Sequence, residues 1–139
     1  MGVILPDIDH LIYVLFLKPQ ELTSQRFHFL LERKEVVRSV ELLYETVGER
    51  SGLVFHSIFF QLIFFALTVL VFSSSAPLFA KGLVLSFLLH LSVDQLIDLI
   101  GVGNLQAWMQ SSSLSMNSSI SKVYLIGTII LICVFSILV

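Results

Sequence analysis

Charged residues and cysteines are scarce in this chain of 139 residues. Asp, Glu, Lys and Arg together make up 13% of it, whereas hydrophobic residues make up 56% and the mean hydropathy is +0.94. A soluble domain of ordinary composition has about a quarter charged residues, so that class is excluded. The single Cys133 excludes a disulfide framework and a cysteine-rich zinc site. Any bound metal must therefore be held by histidines and carboxylates.

The charge balance also excludes one class of partner. The net charge is -2, and no basic stretch combines with exposed aromatic residues, so nucleic acid is not expected as a partner. The first residues, Met1 to Ile4, carry no positive side chain, and Asp7 and Asp9 interrupt the apolar stretch that follows. This pattern does not match a secretory signal.

Long apolar runs predict an all-α membrane protein. The run from Leu53 to Phe72 predicts one spanning helix, because about 20 apolar residues cross the ~30 Å hydrocarbon core of a bilayer. The runs Leu78 to Ile100 and Val123 to Val139 predict two more. Open strands would leave backbone groups unpaired in lipid. We therefore predict a polytopic helical bundle of about three spans, with an interfacial or re-entrant segment at its N-terminus.

The stretch before the first run predicts a cytoplasmic amphipathic helix. Thr23 and Ser24 offer a helix cap, Gly48 offers a stop, and apolar residues recur at helical spacing between them. Six of the eight Lys and Arg residues precede Leu53, so the positive-inside rule places residues 18–50 in the cytoplasm. We expect this helix to lie on the membrane or to pack on the bundle.

These patterns predict the organisation and location of the chain. Residues 1–108 are the predicted membrane domain, residues 109–122 a serine-rich linker and residues 123–139 a C-terminal transmembrane helix. The predicted location is the inner (cytoplasmic) membrane, with several passes through it. Membrane lipids are the expected partners, and a second copy of the chain is another candidate.

Ionisable residues within the second apolar run are candidates for a functional site. His90 and Asp94 are four positions apart, so a helix places both on one face. A charge in a membrane segment costs at least about 2.5 kcal/mol, so such residues usually face the bundle interior and find a partner or a metal there. A structural hydrogen bond between the two is the alternative. Asp98 extends the same stripe by one turn.

Two further clusters carry metal-capable side chains. His56 lies at the predicted cytoplasmic end of the first span, although an isolated interfacial histidine usually has no special role. Asp7, Asp9 and His10 follow Pro6, which fixes a turn in which the three could converge. A helix cap formed by an Asp is the simpler alternative. Two carboxylates near a membrane are unfavourable unless a divalent cation relieves them.

Together these clusters predict a metal site on the cytoplasmic side. The predicted ligands are Asp7, Asp9, His10, His56, His90 and Asp94. Imidazoles mixed with carboxylates suit zinc, or manganese or iron, and six ligands could hold two ions. Such an ion activates water and polarises an ester carbonyl or phosphoryl oxygen. Asp98 is a candidate general base, and Ser57 a residue that would support the ligands.

With these residues in place, the chain resembles the YdjM/YbcI-type family of membrane-bound metal-dependent hydrolases, which is distantly similar to zinc-dependent phospholipase C. The similar segments are LPDIDH (Leu5 to His10), ERSGLVFHS (Glu49 to Ser57), LLHLSVDQLIDL (Leu88 to Leu99) and GVGNLQAW (Gly101 to Trp108). The resemblance implies a helical membrane bundle, metal bound at the six positions above, and hydrolase chemistry. The chain departs from the family in having Glu49 where the family has a histidine.

The leading hypothesis is a membrane-embedded metal-dependent hydrolase that acts on a lipid or a phosphoester. A second hypothesis is a non-catalytic membrane protein that binds or conducts divalent cations. A third is a helical assembly partner that is stabilised by His–Asp hydrogen bonds and binds no metal. Coordination separates the first two, because a catalytic site keeps a position open for water and a structural site is closed.

Overall fold

The computed structural model describes residue 2 and residues 5–46, 52–109 and 115–138. All regular elements within these ranges are helical, which confirms the predicted all-α class for the described chain. The α-helices are α1 (Ile8–Ile12), α2 (Leu22–Glu32), α3 (Val36–Glu45), α4 (Ile58–Ser73), α5 (Leu78–Gly101) and α6 (Ser118–Ile137). A π-helical turn, Tyr13–Leu17, continues α1, and a 3-10 turn, Gln106–Met109, follows α5.

The chain forms two compact units. The N-terminal unit comprises residues 7–53, and the main unit comprises residues 54–139 together with residues 1–6. In the N-terminal unit the buried apolar residues are Tyr13, Val14, Phe27, Leu43 and Leu53. The Tyr13 hydroxyl donates a 2.8 Å hydrogen bond to the Glu21 carboxylate just ahead of α2. This bond joins the π-helical turn to the start of the next helix.

The predicted amphipathic helix is two helices, which corrects the sequence interpretation. Its first part, α2, ends where Lys34 takes a φ of 60°, and the Glu35 amide donates to the Leu30 carbonyl. This i to i-5 bond after a left-handed residue is the usual way in which a helix terminates, but the residue in that conformation is normally glycine. The lysine gave no such signal, so the break was missed.

The ends of this segment also differ from the prediction. Thr23 and Ser24 are buried inside the first turn of α2, and the cap position is Glu21. The proposed stop at Gly48 lies outside the described residues. In α3 the buried residues are Ser39 and Leu43.

In the main unit the first predicted span is shorter than expected. The helix α4 has 16 residues because it begins at Ile58, and residues 53–57 are not helical. At 1.5 Å per residue α4 is about 24 Å long, which is less than the ~30 Å hydrocarbon core. The predicted start was too early because Leu53 to Phe55 are apolar, whereas the helix begins after its cap residue, Ser57.

Two helices are long and apolar enough to cross a membrane among the described residues. They are α5, with 24 residues and a hydropathy of 1.8, and α6, with 20 residues and a hydropathy of 2.2. The second predicted span is therefore confirmed in length. The third begins at Ser118, within the predicted serine-rich linker, because the Asn117 side chain accepts a hydrogen bond from the Ile120 amide and caps α6. Residues 110–114 and Val139 lie outside the described ranges.

The helix α5 packs against α4 on one side and α6 on another. The 3-10 turn packs against α4, and its neighbour Leu105 donates its amide to the Ser121 hydroxyl at the start of α6. The buried apolar cluster of this unit is made of Ile58, Phe87, Leu91, Leu105, Trp108, Met109 and Met116. It lies beside the end of α5 that carries Asp94 and Asp98, and it fixes the segment before α4 against that helix.

Candidate metal centre

Three of the predicted metal ligands converge in the main unit. The Nε2 atom of His90 lies 3.0 Å from Oδ2 of Asp94, and the Nε2 atom of His56 lies 3.3 Å from the same oxygen. The three residues offer ligand atoms that all lie within 4.8 Å of one another. They could hold a metal ion.

The local fold explains how these three side chains meet. His90 and Asp94 are one turn apart on α5, so they share a face as the spacing predicts. His56 comes from the non-helical segment that precedes α4 and reaches α5 across the interface of the two helices. Helical packing therefore supplies the contact between His56 and Asp94, which are 38 positions apart.

The distances suit a tetrahedral ion. Zinc binds imidazole nitrogen and carboxylate oxygen at about 2.0–2.2 Å, which places neighbouring tetrahedral ligand atoms about 3.3–3.5 Å apart. The measured separations of 3.0 and 3.3 Å from Asp94 Oδ2 are close to that edge length. The 3.3 Å contact is also a hydrogen bond, so the Asp94 carboxylate can accept from the His56 ring when no metal is bound.

The triad is screened from water but not sealed. The side chains of His56, His90 and Asp94 are 10%, 14% and 30% exposed. Among the described residues, two histidines and one carboxylate supply three ligands, which leaves a fourth tetrahedral position for water, as in hydrolytic zinc sites. Non-haem iron sites use the same ligand set. Asp94 is the most exposed of the three side chains.

Asp98 is placed beside the triad but has a different partner. Its Oδ2 atom accepts a 2.6 Å hydrogen bond from the indole Nε1 of Trp108. The Trp108 ring in turn lies 5.5 Å from the His56 ring, measured between centroids, at an angle of 56°. Sequence reasoning did not give Trp108 a role. The only signal in the sequence was that Trp108, the single tryptophan of the chain, ends the segment Gly101 to Trp108.

Ser57 has a structural partner on each side. Its hydroxyl donates to the Val54 carbonyl at 2.9 Å and accepts from the Phe60 amide at 3.2 Å. Ser57 therefore caps α4. By fixing the start of this helix, it also fixes the backbone next to His56. Its predicted role in the chemistry stays a prediction.

The remaining predicted ligands belong to the N-terminal unit. Asp7 is exposed at the start of α1, Asp9 is fully buried in its first turn, and His10 is half-buried. The predicted turn at Pro6 is present, and it leads directly into this short helix. The assignment of Asp7, Asp9 and His10 to the same metal site stays a prediction.

A buried polar network near the triad was also missed. Gln61 on α4 and Gln95 on α5 are fully buried, and Gln95 Nε2 donates a 2.5 Å hydrogen bond to Gln61 Oε1. The Tyr124 hydroxyl on α6 donates to the same oxygen at 2.8 Å. One amide oxygen thus joins three helices. Gln61 stands within an apolar run, and a polar residue in such a run was a signal that could have found it.

Comparisons with known proteins gave no match among family models, curated proteins or solved structures. The resemblance to the YdjM/YbcI-type family therefore stays a prediction.

Proposed function

We propose that this protein is a multi-pass membrane hydrolase that uses a divalent metal ion held by His56, His90 and Asp94. The observation that carries the proposal is the approach of two imidazole nitrogens to one carboxylate oxygen at 3.0 and 3.3 Å. Two histidines and a carboxylate with an open fourth position are the ligand set of hydrolytic zinc enzymes. Zinc is accordingly the metal we propose, with manganese or iron as alternatives.

The exterior of the long helices supports a membrane location. Only 33% of the apolar window of α5 and 22% of that of α6 is buried. A core helix of a soluble protein would be mostly covered, whereas large exposed apolar surfaces need a membrane or a partner. The cationic residues that precede α4 support an inner-membrane protein whose residues 18–50 lie on the cytoplasmic side. Lipids are the proposed partners, with a second copy of the chain as another candidate.

The position of the triad on α5 suggests the class of substrate. On α5, Val93 lies three positions after His90 and Ile97 three positions after Asp94, so helix spacing places each beside a triad residue, and they are 46% and 61% exposed. A molecule that reaches the carboxylate therefore also meets apolar side chains on the same helix. A lipid or another amphiphilic ester or phosphoester fits both features. When bound, the ion would polarise the scissile carbonyl or phosphoryl oxygen and make water a better nucleophile.

Metal content tests the proposal first. The protein is purified in mild detergent without chelator, and its metals are measured by elemental mass spectrometry. We expect bound zinc or manganese in the wild type and its loss in a His56→Ala/His90→Ala variant. A His28→Ala variant is the matched control, because His28 lies on α2 and contacts Phe27 in the N-terminal unit. A wild type that carries no metal, and takes up none on reconstitution, would refute the proposal.

Stoichiometry tests the larger ligand set. If Asp7, Asp9 and His10 bind an ion as well, the wild type should bind two equivalents and a His10→Ala variant should lose at least one. Binding of one equivalent by both proteins would restrict the site to the triad. Turnover is then sought with phospholipids and soluble phosphoesters, using Asp94→Asn as the inactive control.

A non-catalytic metal-binding protein is the second candidate. It is favoured by the same short contacts, since an ion held by His56, His90 and Asp94 would also tie the segment before α4 to α5 without catalysis. The two candidates differ in the fourth coordination position. An open position exchanges water and binds small anions, whereas a closed position does neither.

A further inference from the structure

The contacts of Trp108 connect two residues of the candidate site. Trp108 lies in the 3-10 turn and is 3% exposed. One edge of its indole donates from Nε1 to Asp98 Oδ2 at 2.6 Å, and the ring packs on His56 with centroids 5.5 Å apart. Asp98 is one turn beyond Asp94 on α5, so the indole bridges that helix to the segment before α4.

We propose that the Asp98–Trp108 pair is a positioning device that holds the His56 imidazole against the metal site. This inference rests on the proposed metal-binding function and assigns a role to two residues that touch no ion. His56 is the one member of the triad that does not come from α5, and its backbone is not helical. Its ring orientation is therefore set by side-chain contacts, which include the Asp94 carboxylate and the packed aromatic surface of Trp108.

The hydrogen bond explains why a tryptophan is needed. A phenylalanine ring could fill the same apolar cluster, which includes Ile58, Leu91 and Leu105. It could not donate to Asp98, so its ring plane would not be fixed. The strong hydrogen bond between the indole N–H and a carboxylate sets that plane, and the plane sets the surface that His56 meets. Residues that orient metal-binding histidines typically change metal affinity by 10–100-fold when they are mutated.

The positioning role differs from the general-base role that the sequence predicts for Asp98. A general base must have a carboxylate oxygen directed at the reacting water. Oδ2 of Asp98 is directed at Trp108, so a role as base would fall to the other carboxylate oxygen, Oδ1. An asparagine at this position can still accept the indole hydrogen bond through its amide oxygen, whereas it cannot act as a base. An alanine can do neither.

The test is a titration of detergent-solubilised full-length protein with Co²⁺, followed by the visible absorption of the bound ion. Compared with the wild type, we expect Trp108→Phe and Asp98→Ala to bind Co²⁺ about 10–100-fold more weakly and with an altered spectrum. Asp98→Asn should restore most of the affinity and the wild-type spectrum. Met109→Ala is the matched control, because Met109 is buried in the same turn and cluster. Its spectrum should be that of the wild type.

Each outcome separates this inference from the proposed function. Wild-type affinity and spectrum in both Trp108→Phe and Asp98→Ala would overturn the positioning role and leave the metal site standing. A loss in Asp98→Asn as large as that in Asp98→Ala would also overturn it, since Asp98 would then act through its charge. Absence of Co²⁺ binding in the wild type would overturn the metal site and this inference with it. Asp98→Ala retains the tryptophan, so it tests the role even if Trp108→Phe fails to fold.

Discussion

Replacement of the buried glutamines by leucine should give a strongly non-additive loss of stability. Leucine has about the volume of glutamine, so packing changes little and the hydrogen bonds dominate the effect. Gln95→Leu removes one donor, while Gln61 Oε1 still accepts from Tyr124. An interhelical hydrogen bond in a membrane protein contributes about 0.6 kcal/mol, with a maximum near 1.7 kcal/mol. We expect Gln95→Leu to lower the free energy of unfolding by an amount in that range.

Gln61→Leu should be worse than Gln95→Leu. It removes the shared acceptor, so the amide of Gln95 and the hydroxyl of Tyr124 both lose their partner. A buried polar group without a partner costs about 1–3 kcal/mol, so Gln61→Leu should lower the free energy of unfolding by more than Gln95→Leu does. In the double variant only Tyr124 is left without an acceptor. The double variant should therefore be more stable than Gln61→Leu alone.

Reversible unfolding in mixed micelles measures this difference. Trp108 is the single tryptophan of the chain and lies in the core of the same unit, so its fluorescence reports the transition. Gln25→Leu is the matched control, because Gln25 is exposed on α2, and its effect should stay within about 0.5 kcal/mol. If the losses of the two single variants simply add in the double variant, the two amides do not interact and the network is refuted.

Three further predictions concern the caps, the helix break and the topology. Ser57→Ala should cost about 1 kcal/mol of unfolding free energy through the lost cap of α4, and Ser57→Asn should recover most of it in thermal unfolding. Lys34→Gly should stabilise α2 and α3 by about 1 kcal/mol, because glycine tolerates a φ of 60°. Slower amide hydrogen exchange in both helices would show this gain, whereas unchanged exchange would argue against backbone strain at Lys34. Topology is tested with single cysteines in a Cys133→Ser background and an impermeant thiol reagent. Lys34→Cys should react only after the membrane is opened, whereas Ser75→Cys should react in intact cells. Reaction of Lys34→Cys alone in intact cells would invert the proposed topology.

The sequence predicted the long helices well and their ends poorly. A long, mostly apolar run made α5 predictable from Leu78 to its last turn. The start of α4 was not predictable from composition, because Leu53 to Phe55 are apolar without being helical. The helix starts only after Ser57, whose hydroxyl bonds to the Val54 carbonyl. Hydropathy contains no information about that bond.

The candidate site was predictable to the extent that it is local. His90 and Asp94 were paired from their spacing alone, since one helix carries both. The contact of His56 with Asp94 required the packing of two helices, and only the combined histidine and carboxylate pattern suggested it. The Trp108 to Asp98 bond joins a helix to an irregular turn. No periodicity marks such a pair, so it became visible only in the folded chain.

The most direct test of the account is X-ray absorption spectroscopy at the zinc edge of the zinc-loaded protein. We predict a four-coordinate ion with two imidazole nitrogens and one carboxylate oxygen from the chain, all at about 2.0–2.2 Å, and one exchangeable oxygen. In Asp94→Asn the shell should lose its carboxylate and the affinity should fall, while the His28→Ala control should match the wild type. A spectrum without imidazole scattering, or one unchanged in a His56→Ala/His90→Ala variant, would contradict the central claim.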